Sequence, residues 1–217
     1  MKKSLSKLNK SHFIGILSIL ILTSCSNATF MKFGPDDKDK LVQINVDSTV
    51  SFLSLYKSID EVVCNDHDSQ VQLVIDTDSI NYRLNLINMC GSTIVCTRSR
   101  NIIFILDDSI KKYDVGTFNY DSLSNLIQRD FSNNGIDRSL SENPSKVFLH
   151  FMQPQLLERV TLKRRLVSII EEFRKTGFEN EKLKLWVQLH PKEDPFTGKI
   201  PDEDELEEEI EKIFKSI

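Results

Sequence analysis

Between residues 147 and 189 the chain changes its hydrophobic period twice, and this narrows the fold more than any other stretch. Residues 147–152 form a short apolar run closed by Pro154. Leu162, Leu166, Ile169, Ile170 and Phe173 then recur at helical spacing. Thr176-Gly177 supplies the stop, with Gly177 suited to a left-handed position after the last turn. Leu183, Leu185, Val187 and Leu189 then alternate as in a strand. Two strands separated by one helix cannot form a hairpin. The spacing predicts a right-handed crossover between parallel neighbours, and so a sheet with a helix packed on it.

The rest of the chain extends this pattern. Residues 41–46 alternate as a strand, and residues 48–63 carry a helical stripe of Phe52, Leu55, Tyr56, Ile59, Val62 and Val63, with Ser48 as candidate cap. Val71-Leu73-Ile75 and Tyr82-Leu84-Leu86 read as a hairpin around residues 76–79. The continuous run 102–106 suits a strand buried on both faces. Asp107-Asp108-Ser109 turns the chain, with residues 112–117 as return strand. Leu123, Leu126, Ile127 and Phe131 mark another helix, stopped by Asn133-Asn134-Gly135. These elements predict an α+β fold, a mixed β-sheet with helices mainly on one face. Leu206, Ile210, Ile213 and Phe214 make an amphipathic stripe near the end, beyond a linker bounded by Pro191 and Pro195.

The N-terminus is of another kind. Lys2, Lys3, Lys7 and Lys10 precede an apolar run from Phe13 to Leu22, and Leu22-Thr23-Ser24-Cys25 matches the lipobox of bacterial lipoproteins. The run is too short for the roughly 20 residues of a spanning helix and suits a signal peptide. The expected organisation is a signal peptide over 1–24, lipidation at Cys25, a tether over 25–40, an envelope domain over 41–190, and a linker with an acidic helix over 191–217. Ser26, rather than aspartate, after Cys25 favours the outer membrane.

Charge excludes one class of partner. The formal net charge is −4, and losing a leader with four lysines and no acid leaves −8. Residues 202–217 hold eight of the acids against two lysines, a net of −6. With no basic stripe there is no field for nucleic acid. Cys64, Cys90 and Cys96 remain after Cys25, which allows one disulfide in an oxidising compartment. A bridge from Cys64 to Cys90 or Cys96 is preferred over Cys90–Cys96, because it closes the longer loop.

Candidate chemistry is thin. Cys64, Asp66, His67 and Asp68 carry metal-ligand atoms, but neighbours on a turn point apart, so a solvated turn is expected. Asp76 with Asp78, and Asp107 with Asp108, read as turn carboxylates rather than an acid–base pair. His150, among Phe148, Leu149 and Phe151, reads as structural, and His190 at a strand end has no assigned role. No nucleophile elbow, phosphate loop, dinucleotide fingerprint or zinc-protease helix is present. No catalytic residue, metal or cofactor is expected. Lys163, Arg164 and Arg165 form a basic cluster. With the stripe at Leu206, Ile210, Ile213 and Phe214 they are the candidate partner-binding residues, the acidic tail docking on the long helix or on a partner.

Residues 102–188 resemble the periplasmic domain of the ExbD/TolR biopolymer-transport family. The likeness rests on Ile103-Phe104-Ile105-Leu106-Asp107, on Leu123 to Ile127, and on Val147-Phe148-Leu149. It continues in a helix closing on Gly177-Phe178 and a final strand over 183–187. The family's membrane aspartate has no counterpart in the run from Phe13 to Leu22, and its acid after the third strand falls where His150 and Gln153 stand. The resemblance therefore implies the small sheet-and-helix domain and its pairing with copies of itself or an envelope partner, not the ion-driven motor. The expected function is a non-enzymatic, lipid-anchored envelope protein acting by self-association or partner binding in the periplasm. Two alternatives stand beside it: an accessory component of an ion-driven, TonB-type transport complex, and an enzyme of unrecognised type.

Overall fold

The computed structural model describes residues 29–35, 40–88, 90, 98–178 and 182–189. The leader, Cys25, Cys96, His190 and the whole of 191–217, with Leu206, Ile210, Ile213 and Phe214, lie outside the described residues. Among the described residues no helix is long and apolar enough to cross a membrane.

In chain order the elements are β1 (Thr29–Phe33), β2 (Lys40–Asn45), α1 (Phe52–Asn65), β3 (Ser69–Asp76) and β4 (Ile80–Asn85). Then come β5 (Ile102–Ile105), β6 (Ile110–Lys112), β7 (Gly116–Phe118), α2 (Leu123–Ser132), β8 (Phe148–Gln153), α3 (Arg159–Lys175) and β9 (Leu185–Leu189). The fold is α+β with mixed sheets. Instead of one sheet there are two, a four-stranded sheet in the order β1-β4-β3-β2 and a five-stranded sheet in the order β7-β6-β5-β8-β9. β8 and β9 are parallel, as the helix between them requires.

Three further expectations are corrected. Thr29–Phe33, inside the segment read as tether, is a strand paired in parallel with β4. The cap of α1 is Ser51, not Ser48, because Val46–Ser48 forms its own 3-10 turn capped by Asn45. Ser51 and Ser54 exchange a capping box, the Ser54 amide reaching Ser51 Oγ at 3.3 Å and the Ser51 amide reaching Ser54 Oγ at 3.1 Å. The return strand after β5 is Ile110–Lys112. The chain turns again at Asp114 (φ 63°), and residues 116–118 form a third strand.

The two sheets are stitched at one place. Leu86 bridges Leu185, and the Ile87 amide donates to the Leu185 carbonyl at 3.0 Å. Asn88 then continues the ladder with its side chain. Its Nδ2 donates to the Val187 carbonyl at 2.7 Å, and its Oδ1 accepts from the Val187 amide at 2.9 Å. Helix α1 packs on both β3 and β9, and Phe52 meets Phe151 edge-to-face at 5.7 Å. One buried cluster therefore takes Leu73 and Leu84 from the first sheet, Ile103, Phe151 and Val187 from the second, and Leu166 and Ile170 from α3. The helical stripes read from periodicity are buried at Phe52, Leu55, Ile59 and Val63 on α1, with Tyr56 and Val62 of that stripe only half-buried, and throughout at Leu123, Leu126, Ile127 and Phe131 on α2 and Leu162, Leu166, Ile169, Ile170 and Phe173 on α3.

Candidate interaction surfaces

The two sheets finish their second faces differently. On the four-stranded sheet, Gln43, Gln72 and Asn85 lie side by side across β2, β3 and β4. Gln43 Nε2 donates to Gln72 Oε1 at 3.1 Å, Gln72 Nε2 to Asn85 Oδ1 at 2.7 Å, and Asn85 Nδ2 to the Pro35 carbonyl at 2.9 Å. The chain leaving β1 presses on this ladder. A Cβ on Gly34 would stand 2.3 Å from the Asn85 carbonyl oxygen, and Gly34 holds φ at +88°. Only glycine allows that approach.

On the five-stranded sheet the corresponding row is aromatic. Phe104, His150 and Trp186 are direct neighbours across β5, β8 and β9. His150 stacks on Trp186 at 5.5 Å and tilts against Phe104 at 5.3 Å, while Tyr113 meets Phe104 edge-on at 5.2 Å. Burial between these rings pushes the His150 imidazole down to about 4, against a weaker opposing hydrogen bond with Gln188. The ring is neutral at pH 7, and its buried Nε2 has no hydrogen-bond partner. It is a packing residue of an aromatic row, in keeping with its sequence reading.

Behind β6 lies a buried ion pair. Lys112 and Asp130 are both completely buried, joined Nζ to Oδ2. Lys112 Nζ also donates to the Arg100 carbonyl at 2.5 Å, and Asp130 Oδ1 accepts from the Ser141 amide at 3.1 Å. Desolvation pushes the lysine down and the aspartate up, each opposed by the other's charge. Asn133 Nδ2 donates to the Asp137 and Ser141 carbonyls at 2.8 and 2.7 Å. This network fastens the long connection 133–147 to the domain.

The basic cluster of α3 is not one surface. Lys163 reaches Asp47 at 2.8 Å and holds α3 to the turn before α1. Arg165 pairs with Asp107 at 2.7 Å and also donates to Gln153 Oε1. Of the three, Arg164 alone is exposed and makes no ion pair with another described residue. The other carboxylates of the sequence reading also sit in local structure. Asp66 accepts from Lys40 at 2.5 Å and from Ser69, which holds its carboxyl down to about 2. Asp76 accepts from Asn45 Nδ2 at 3.2 Å. Among the described residues no group of three or more His, Cys, Asp or Glu side chains converges to hold a metal.

The cysteine expectation is met in one of its forms. Cys64, in the last turn of α1, is bonded to Cys90 beyond β4, with Cα atoms 4.5 Å apart. The bridge closes a 26-residue span, and it removes Cys64 from any metal set with Asp66, His67 and Asp68.

One surface escaped the sequence reading. Six large hydrophobic residues stand exposed among those described, and three gather where α1 and α3 begin. Val50 is 67% exposed, Leu156 44% and Val160 71%. Ser51 bridges Glu158 in antiparallel fashion, and the Phe52 and Leu53 amides donate to the Leu157 and Gln155 carbonyls at 2.9 and 3.0 Å. Each of the three apolar residues lies within two positions of that pairing. Their signal in the sequence is negative: Val160 falls off the α3 stripe and Val50 precedes the cap of α1, so neither has a place in the core.

No protein-family model, no curated protein and no solved structure matches the chain.

Proposed function

We propose that this is a lipid-anchored protein of the bacterial cell envelope, the outer membrane favoured, whose domain works in the periplasm by pairing with itself or with an envelope protein rather than by catalysis. The Cys64–Cys90 disulfide carries the reading. Stable bridges belong to oxidising compartments, and the lipobox ending at Cys25 directs a chain to such a compartment. The elements β5, β6, α2, β8, α3 and β9 follow the order of the ExbD/TolR-like resemblance, with β7 as an added strand, and support a domain of that kind. β1 starts four residues after Cys25, so a lipid on that thiol would hold the edge of the four-stranded sheet within about 14 Å of its attachment point.

The test is the intact mass of protein purified from membranes, together with palmitate labelling of the wild type and of Cys25→Ala. The expected result is loss of residues 1–24, acyl label on the wild type and none on the variant. A retained Met1 with no label would overturn the anchor. A monomer that captures no envelope protein after cross-linking in cells would overturn the binding role.

A further inference from the structure

We infer that the acidic C-terminal segment of this chain docks on the apolar patch formed by Val50, Leu156 and Val160. Val50, Leu156 and Val160 stand 44–71% exposed within two positions of one backbone pairing, an apolar surface that a docked segment would bury. The topology puts the segment beside it. Leu189, the last residue of β9, pairs with Gln153 of β8. From Gln153 the chain runs through Pro154 directly into Leu156 and Val160. The polypeptide leaving β9 thus departs one strand's width from the start of the patch.

The segment has the matching chemistry. Leu206, Ile210, Ile213, Phe214 and Ile217 fall on one side of a helical period, and the other side is acidic, with a net of −6 over residues 202–217. The patch is bordered by Arg159, by Lys163, which already holds Asp47, and by Arg164, which has no ion pair among the described residues; Glu158 and Asp47 are the acids on that border. The cations favour an acidic helix over a basic or neutral one. Sixteen residues separate Leu189 from Leu206. Treated as a random coil, a chain of that length would span about 22 Å root-mean-square, which would put the stripe at millimolar effective concentration. The expected docking on Lys163, Arg164 and Arg165 thus moves one turn towards the N-terminus of α3, because Lys163 and Arg165 are engaged in the fold.

The test uses the full chain with a photoreactive benzophenone side chain at Val160, an exposed position whose replacement leaves the core intact. Irradiation is followed by gel separation of monomer and dimer bands and by peptide mass mapping. The expected product is monomeric, with the cross-link in residues 202–217. Ile210→Asp with Phe214→Asp should reduce it about tenfold, the change given by losing about 1.4 kcal/mol of association. Arg164→Glu should reduce it less, and more so at low salt. A cross-link confined to the dimer band would assign the patch to a second copy and overturn the inference. Cross-linking unchanged by the double aspartate variant, or mapping to no residue of the tail, would overturn it as well. None of these outcomes depends on whether Cys25 carries lipid.

Discussion

The four-stranded and five-stranded sheets face the same problem and solve it with different chemistry. Each has one face on the common core and a second face to finish. The first sheet finishes it with a row of side-chain amides, Gln43–Gln72–Asn85, closed by the Pro35 carbonyl. The second finishes it with rings, Phe104–His150–Trp186. Their fastenings differ too. The first half is tied covalently through Cys64–Cys90, and the second through the buried Lys112–Asp130 pair. Directional polar contacts tolerate no missing member, whereas rings tolerate substitution by other rings. The first half should therefore be sensitive to polar substitution and to reductant, and the second to pH and to loss of one charge.

The largest effect should come from splitting the buried pair. Lys112→Ala leaves Asp130 charged and buried without its partner, so about 3–5 kcal/mol of stability is lost. Urea unfolding measures it, and the paired replacement Lys112→Met with Asp130→Leu should recover much of the loss. A single variant as stable as the wild type would remove the second half's fastening from the comparison. Next comes the first half's bridge. Reduction, or Cys64→Ser with Cys90→Ser, should cost about 3–4 kcal/mol in the chain-entropy account for a span of this length. Matched urea curves with and without reductant read it.

A smaller effect distinguishes the two outer faces by pH. His150 is held down to about 4 in the fold and returns to an ordinary value near 6.5 when unfolded. Between those values the unfolded chain binds the extra proton, so stability falls as pH drops. The loss from pH 7 to pH 5 should be about 2 kcal/mol from this group. His150→Phe keeps the aromatic row and should abolish that part of the slope. An unchanged slope would place the titrating group elsewhere. The smallest of the four is Gln72→Leu on the amide row. It leaves Asn85 and Gln43 without their central partner, at about 1–2 kcal/mol that does not vary between pH 5 and 7.

Much of this was legible in the chain before any coordinates. The stripes on α1, α2 and α3 are periodic because helices bury one side, and every residue of the α2 and α3 stripes is buried. The parallel pairing of β8 and β9 followed from the helix between them. What escaped has physical causes. β1 was hidden because five residues beside a Gly-Pro pair look like linker, and their strand character comes from pairing with β4, about fifty residues away in the chain. The split into two sheets was hidden because it turns on Asn88, whose side chain imitates a backbone, and no period marks that role. The basic cluster was visible, but its partners Asp47 and Asp107 lie in distant segments, so two of its three charges serve the fold. The exposed Val50, Leu156 and Val160 were invisible for a related reason, since apolar residues outside a stripe gain meaning only when distant loops meet.

Helix α1 rests on β9 as well as on β3. The earliest helix of the described chain thus waits for the last of its strands before its far side is covered. Long-range closure of this kind is slow, and no leading portion can seal its interior while synthesis continues. That interior is complete only when the last described strand joins it, so a chain shortened before β9 would leave one side of α1 uncovered.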